Sequence, residues 1–448
     1  VKNFSKKSLT ATSPWSALKN KIIFTLLALV IFRVGSYIPL PGIDAVVLEQ
    51  VVHSNAGGIL GVFNLFSGGS LGRMSIFSLA IMPYITASIV MQLATMIFKD
   101  LENIKKEGGE QGRQKITQWT RYLTVFLSVF QAYGVCAGLF NLTPSDGRLL
   151  VIIPSTLFYT TSIISLCSGT LFLMWLGEQI SSRGIGNGTS LIIFSGIVAG
   201  LPEALVTAFE MARSGAIATF TLLILLFAIV FLVVLIVLFE RAQRRIVVQY
   251  PKRQLGGNRM IGNDTSHIPL KLNNAGVIPP IFASSILLFP VTIASFANTS
   301  GNNSDSDLWQ FFSLYLAHGK PLYIVIYAFL IIFFTFFYTS VVFNPSETAE
   351  MLKKHGGFVP GKRPGVNTAE FFHYVLLRLT VLGAAYISFV CILPEIFISK
   401  LNIPFYLGGT SVLIVVNVIM DTFTQIQTHL YAARYERQIK KFNFSAKK

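Results

Sequence analysis

The run Ser75-Ile-Phe-Ser-Leu-Ala-Ile-Met-Pro-Tyr-Ile-Thr-Ala-Ser-Ile-Val-Met-Gln-Leu93 constrains this chain more than any other stretch. It is apolar enough for a membrane helix, yet Pro83 lies inside it, and proline removes a helix hydrogen bond and clashes with the preceding turn. Just before it runs Gly57 to Gly72, 16 residues of which six are glycine. As a helix that segment would reach about 24 Å, short of a hydrocarbon core of roughly 30 Å. A short apolar piece followed by a proline-interrupted span is a broken approach into the bilayer. Irregular backbone at membrane depth survives only where protein buries it or where it lines a water-filled path. The pattern points to a conduit. Read alone, Gly57–Gly72 fits an interfacial helix or a packed external loop as well as a movable element.

With 52% hydrophobic and 12% charged residues, the 448-residue chain reads as one integral membrane domain rather than several soluble ones. Windows of about 20 apolar residues predict ten spans, near 22–41, 75–97, 119–140, 154–176, 188–206, 217–239, 275–296, 321–343, 374–396 and 405–425. Residues 1–21 hold lysines but no apolar core with a cleavage site, so they read as a cytoplasmic arm rather than a signal peptide. With both termini inside, the cytoplasmic segments carry 28 Lys and Arg and the outer loops carry five. The positive-inside rule thus predicts cytoplasmic termini, with 426–448 as a cytoplasmic tail, and explains most of the net charge of +16 without nucleic acid. Five plus five spans give halves 22–206 and 217–425 of opposite orientation, the arithmetic of an inverted repeat.

Catalytic and metal constellations are missing from the sequence. The three cysteines, Cys136, Cys167 and Cys391, fall in apolar runs, which argues against disulfides and zinc. The six histidines sit in loops or at span ends, with no His-Glu-x-x-His and no Gly-x-Ser-x-Gly, so the chain does not read as an enzyme and no cofactor is expected. Arg33, Arg121 and Arg378 lie within spans, and Glu395 and Asp421 lie near span ends. Such groups are functional by default, though end positions often pair structurally. A coupled secondary transporter, the alternative on an inverted repeat, would be expected to carry mid-span acids, and none is found.

Three loops have shape. Trp175 to Ser190 reads as a tight cytoplasmic hairpin, with Gly184, Gly186 and Gly188 offering positive φ and Asn187, Thr189 or Ser190 a helix cap. The loop 240–274 has a strand-like run from Ile246 to Tyr250 and projects Arg244, Arg245, Lys252 and Arg253. The loop 344–373 projects Lys362 and Arg363 between Pro360 and Pro364. Both loops fit topology signals with lipid-headgroup contact, and equally two basic hairpins that dock an acidic or RNA-bearing partner.

Eight segments in order resemble the SecY family, the large pore-forming subunits of the bacterial Sec protein translocon. They are Arg33-Val-Gly-Ser-Tyr-Ile-Pro-Leu-Pro-Gly42, Phe63-Asn-Leu-Phe-Ser-Gly-Gly69, the Ser75–Leu93 run, Met174-Trp-Leu-Gly-Glu-Gln179 through Gly188, Ala275-Gly-Val-Ile-Pro279, Phe343-Asn-Pro345, Arg363-Pro-Gly365 and Gly408-Gly-Thr-Ser411. Two departures stand out: Ala80, where the family usually has glycine, and Pro280, where alanine is commoner.

The resemblance implies an all-α membrane fold of ten helices in two inverted five-helix halves around a central pore, in the bacterial cytoplasmic (inner) membrane. Its constriction would be ringed by Ile81, Ile85, Ile193, Ile281 and Ile414. A re-entrant plug helix at about 57–72 would include Gly57, Ile59, Leu60, Val62, Phe63, Leu65, Phe66 and Gly69. Thr86 and Phe289 would mark a lateral gate, through which signal peptides and membrane helices pass into lipid. Arg244, Arg245 and Arg363 would dock the SecA ATPase motor or the ribosome. Small SecE-like and SecG-like subunits would clasp the chain, with membrane lipids around it and nascent chains as clients; no DNA partner is implied.

Overall fold

The computed structural model describes residues 14–44, 48, 69–107, 109–141, 151–215, 218–250, 254–255, 259–260, 265–287, 320–401 and 408–445. Among them the helices are α1 (Pro14–Gly35), α2 (Met82–Ile97), α3 (Lys99–Glu107), α4 (Gly109–Asn141), α5 (Ser155–Arg183), α6 (Gly188–Arg213), α7 (Thr219–Arg241), α8 (Ile278–Leu287), α9 (Pro321–Val342), α10 (Pro345–Lys354), α11 (Val366–Leu401) and α12 (Gly409–Ser445). Six apolar stretches among the described residues are long enough to cross a membrane, in α5, α6, α7, α9, α11 and α12, while α2 and α8 are shorter apolar helices. The spans expected near 22–41 and 119–140 fall on α1 and α4, whose sequences mix apolar and charged residues. The expected plug residues Gly57, Ile59, Leu60, Val62, Phe63, Leu65 and Phe66, the gate residue Phe289, and Lys252 and Arg253 lie outside the described residues.

The chain forms two compact units. Among the described residues the first takes those up to Gly200 and from Val418 onward, and the second takes those within Leu201–Asn417. In the first unit α2 and α5 pack on α4, and α1 packs on α5. The guanidinium of Arg121 on α4 grips Glu178 on α5 through two parallel bonds, Nε to Oε1 at 3.0 Å and Nη2 to Oε2 at 2.7 Å. Bidentate pairing of this kind fixes geometry as well as adding energy. The span arginines thus have structural work: Arg33 donates to the Tyr37 hydroxyl at 3.2 Å, and Arg378 lies 4.4 Å from the Tyr374 ring on its own helix.

The proline of the Ser75–Leu93 run does not sit inside a helix. The expected span from 75 starts as helix only at Met82, with Ile81 as its N-cap and Pro83 in the first turn. That is where proline is best tolerated, because its missing N–H would have had no helical acceptor and its φ is preset. Residues 69–81 are turns, interrupted by one antiparallel bridge of Ser75 to Pro39. Their backbone groups are paired with protein: Leu40 N–H donates to the Met74 carbonyl at 2.8 Å, Ile76 N–H to Ile38 at 3.0 Å, and Ser75 N–H to Ser70 at 2.9 Å. Ser70, Ser75 and Ser78 are all buried, and the Ser78 hydroxyl donates to the Ser70 carbonyl at 3.1 Å. Phe77 stacks between Phe32 of α1, at 6.1 Å, and Phe172 of α5, at 5.9 Å. Gly169 lets α5 come this close: a Cβ there would stand 2.2 Å from the Ile76 carbonyl oxygen.

The second unit packs α9 along α11 and holds an antiparallel pair, β1 (Gln243–Gln249) with β4 (Thr265–Lys271), in the register Arg245↔Pro269 and Val247↔His267. The two-residue strands β2 (Gln254–Leu255) and β3 (Arg259–Met260) pair with each other. β1 forms because β-branched residues alternate: Ile246 and Val248 are buried while Val247 is exposed.

Ala80 has φ +48°, in the left-handed region, and is buried. That conformation costs a Cβ-bearing residue about 1–2 kcal/mol, which accounts for glycine being the usual choice there in the resembled family. Ala80→Gly relieves it but frees the unfolded chain, so thermal unfolding in detergent should show a stability change from zero to a gain of about 1 kcal/mol. Ala80→Val should lose about 2 kcal/mol or more. A clear loss on Ala80→Gly would contradict the left-handed assignment.

Candidate functional site

The five isoleucines divide between the units. In the first, Ile81 caps α2 and is buried, Ile85 follows one turn later and is half-buried, and Ile193 is buried on α6. Helical spacing places Ile81 and Ile85 on one face of α2, and the Ile85 amide donates to the Ile81 carbonyl at 3.1 Å. Thr86, half-buried, turns its hydroxyl onto the Met82 carbonyl at 3.0 Å. In the second unit Ile281 is half-buried on α8 and Ile414 is 1% exposed on α12. Each of these side chains is apolar and β-branched, hence stiff at χ1.

The hairpin before Ile193 is held by side chains rather than by a row of left-handed glycines. Ile185 N–H donates to Thr25 Oγ1 at 3.1 Å, Gly186 N–H to Gln425 Oε1 at 2.7 Å, and Gly188 N–H to Ser181 Oγ at 2.9 Å. Of the three glycines expected to offer positive φ, only Gly186 takes it, at +89°. Gly184 is extended, and Gly188 serves close packing, since its Cβ would fall 1.9 Å from the Gly177 carbonyl oxygen. Asn187 caps α6 by accepting from Thr189 N–H at 3.2 Å. Thr25 and Gln425 reach this hairpin from helices 160 and 239 residues away in sequence, which no local pattern reveals.

The two basic loops fold into one module. Gln249 at the end of β1 exchanges backbone hydrogen bonds with Phe358, at 2.9 and 3.0 Å. Ile246, Val248, Leu270, Ala349, Val359, Phe372, Val375 and Leu379 form a shared apolar core beneath. The second loop is not the hairpin expected of it. Asn344 caps α10 by accepting from Ser346 N–H at 3.1 Å, Pro345 opens the helix, and Lys353 and Lys354 stand in its last turn. All four features match the helix dipole and its unpaired end groups. Beyond α10 the chain turns back, the Thr368 hydroxyl donates to the Arg363 carbonyl at 2.8 Å, and the Lys362 ammonium lies 5.8 Å from the Phe371 ring centroid.

Arg244, Arg245 and Arg363 are exposed on this module. Arg244 stands five residues along β1 from the Gln249 junction, roughly 17 Å of strand. The loops therefore meet, and the arginines are spread over the platform that they share. Among the described residues no three His, Cys, Asp or Glu side chains could hold a metal ion together.

The family model for SecY matches residues 75–423 of the chain. The chain is 54% identical over 439 residues to the protein translocase subunit SecY of Rickettsia typhi, covering 98% of each. It is 54% identical over 430 residues to that of Escherichia coli K12, covering 95% of each. Its fold is similar to a solved protein-conducting channel at a TM-score of 0.67 and 18% identity, covering 93% of each chain. It is also similar to Sec61 in the canine ribosome-channel complex from the endoplasmic reticulum, at a TM-score of 0.64, 18% identity and 93% of each chain. On an identity above one half along nearly its whole length, the chain belongs to the SecY family.

Proposed function

We infer that this chain is the channel-forming subunit of a protein translocase, a conduit for unfolded secretory proteins and, through a lateral gate, for membrane helices. The observation that carries the reading is the full-length identity to translocase subunits, joined to an α2 whose irregular lead-in is buried in protein. The chain is a channel subunit and not an enzyme, and a secondary transporter is not favoured. Arg121, near the start of the predicted span 119–140, supports this, because it is bonded to Glu178 instead of standing ready to bind an ion.

In the proposed working arrangement, residues 22–206 and 217–425 form two inverted halves. Ile81, Ile85, Ile193, Ile281 and Ile414 meet as a seal between them. Apolar side chains offer an ion nothing to replace its hydration water, and hydrophobic constrictions gate by dewetting. Residues 57–72 plug the outer funnel, and Thr86 with Phe289 marks the gate. The family's inner-membrane setting and the charge asymmetry of the loops support cytoplasmic termini. That side would present the β1–β4 and α10 module to SecA or the ribosome, and SecE-like and SecG-like helices would cover exposed apolar faces. A relative of the same fold found in a ribosome-channel complex supports the ribosome as a partner.

Two outcomes test these roles. Replacing Ile85, Ile193 and Ile281 together with Asn should wet the seal. In a planar bilayer without a client, ion current should rise roughly tenfold or more, as expected when a dewetted constriction admits water. A folded triple variant as silent as its parent would remove these residues from the seal. Arg363→Glu reverses an exposed charge, which scarcely affects folding. At a partner interface it should lower motor-driven precursor transport roughly tenfold or more, the scale of an interfacial charge clash. Unchanged transport at limiting motor would take Arg363 out of the interface.

A further inference from the structure

The turn that feeds α8 is held by a buried carboxamide. Asn273, 4% exposed, receives the Gly276 N–H on Oδ1 at 3.0 Å. Its Nδ2 donates to the Gly276 carbonyl at 3.2 Å and to Glu240 Oε2, at the end of α7, at 3.3 Å. One side chain thus ties the turn before α8 to α7. Gly276 itself has φ +63°, a left-handed torsion that glycine enters and leaves at little cost.

A second carboxamide lies against the same residue. Asn417 on α12 is also 4% exposed, and its Nδ2 is 3.7 Å from where a Cβ on Gly276 would be. Its Oδ1 is buried with no hydrogen-bond partner among the described residues. An unpaired buried acceptor is costly, and native structures keep few of them. Asn417 stands three residues after Ile414, on the same face of α12, and Gly276 stands five residues before Ile281. Both proposed seal residues of this unit therefore stand within five residues of this polar contact.

We propose that Asn273 and Asn417 are alternative acceptors for the Gly276 amide, and that exchange between them positions Ile281 relative to Ile414. In the arrangement observed, Asn273 holds the amide and Asn417 goes unsatisfied. Rotation at Gly276 toward α12, with the Asn417 carboxamide turned so that Oδ1 takes the place of the facing Nδ2, would transfer the N–H to Asn417 Oδ1, pair the orphan acceptor and carry the start of α8 with it. The unsatisfied oxygen biases the observed arrangement toward that exchange, and the Asn273–Glu240 bond opposes it. Both are positioning residues that act through the isoleucines, so the inference rests on the seal reading above.

The test uses the complete chain with its membrane partner subunits. It measures client-free current in a planar bilayer, together with transport of a precursor whose signal sequence is weakened. Asn273→Ala removes the opposing tie, and both current and weak-signal transport should rise roughly fivefold, the effect of one net hydrogen bond. Asn417→Leu, which keeps the branching of the side chain, removes the orphan acceptor, so weak-signal transport should fall roughly fivefold with the current no higher than the parent's. Opposite signs from two neighbouring buried substitutions are not what general loosening gives. If both variants move the readouts in the same direction, or neither moves them, the exchange is overturned. Should Asn273→Ala fail to accumulate, Asn273→Ser, which is too short to reach Glu240, takes its place with the same expected sign. Ile281→Asn in the same bilayer separates the two ideas: a leaking Ile281→Asn beside a silent Asn273→Ala overturns the exchange alone, and a silent Ile281→Asn overturns the seal reading on which it rests.

Discussion

Backbone amides and carbonyls at membrane depth have no water to turn to, and the rest of this structure follows from how residues 69–81 meet that constraint. A helix would satisfy them internally, but Pro83 fixes the helix start at Met82 and leaves the preceding turns to find other partners. They find them in the strand-like backbone at Ile38–Leu40, in the buried serines 70, 75 and 78, and in the Phe32–Phe77–Phe172 stack. The cost is visible at Met74 and Ala80, both held at positive φ. Strain of this size persists only where surrounding structure determines it, and here α1 and α5 do so. What is gained is the buried placement of Ile81 at the very tip of α2, with Ile85 one turn below.

The charged groups divide by task. Within the helical units the cations are structural: Arg121 bonds Glu178, and Arg33 and Arg378 lean on tyrosines. Arg244, Arg245 and Arg363 instead stand exposed on the β1–β4 and α10 module, above an apolar core that takes in Phe372, Val375 and Leu379 of α11, so none of the three charges is part of that core. A desolvated interface makes such charges matter far more than the same charges do in water.

Much of this was legible in the residues. Hydropathy windows located the apolar helices, and the alternation at Ile246–Tyr250 gave β1, because burial on one face of a helix or strand imposes a period that the sequence must carry. The proline announced a break but not its form: a proline that interrupts a helix and one that opens a helix look alike until the backbone before it is placed. Ala80 was visible as a departure, and only its φ says what the departure costs. The joining of the two basic loops through Gln249 and Phe358, the Thr25 and Gln425 bonds to the 184–188 hairpin, and the Asn273–Gly276–Asn417 contact were not legible. Each of these joins residues far apart in sequence or depends on one torsion, and neither leaves a periodic trace.

The central claim is that a polypeptide passes this chain along its isoleucines. Site-specific photo-crosslinking to a precursor stalled in transit tests it most directly. A photoreactive residue at Ile81, Ile193, Ile281 or Ile414 should capture the precursor, whereas one at Leu223 or Phe227, on the exposed apolar face of α7, should capture lipid or a neighbouring subunit. Precursor adducts at the α7 positions with none at the isoleucines would place the path elsewhere and contradict the claim.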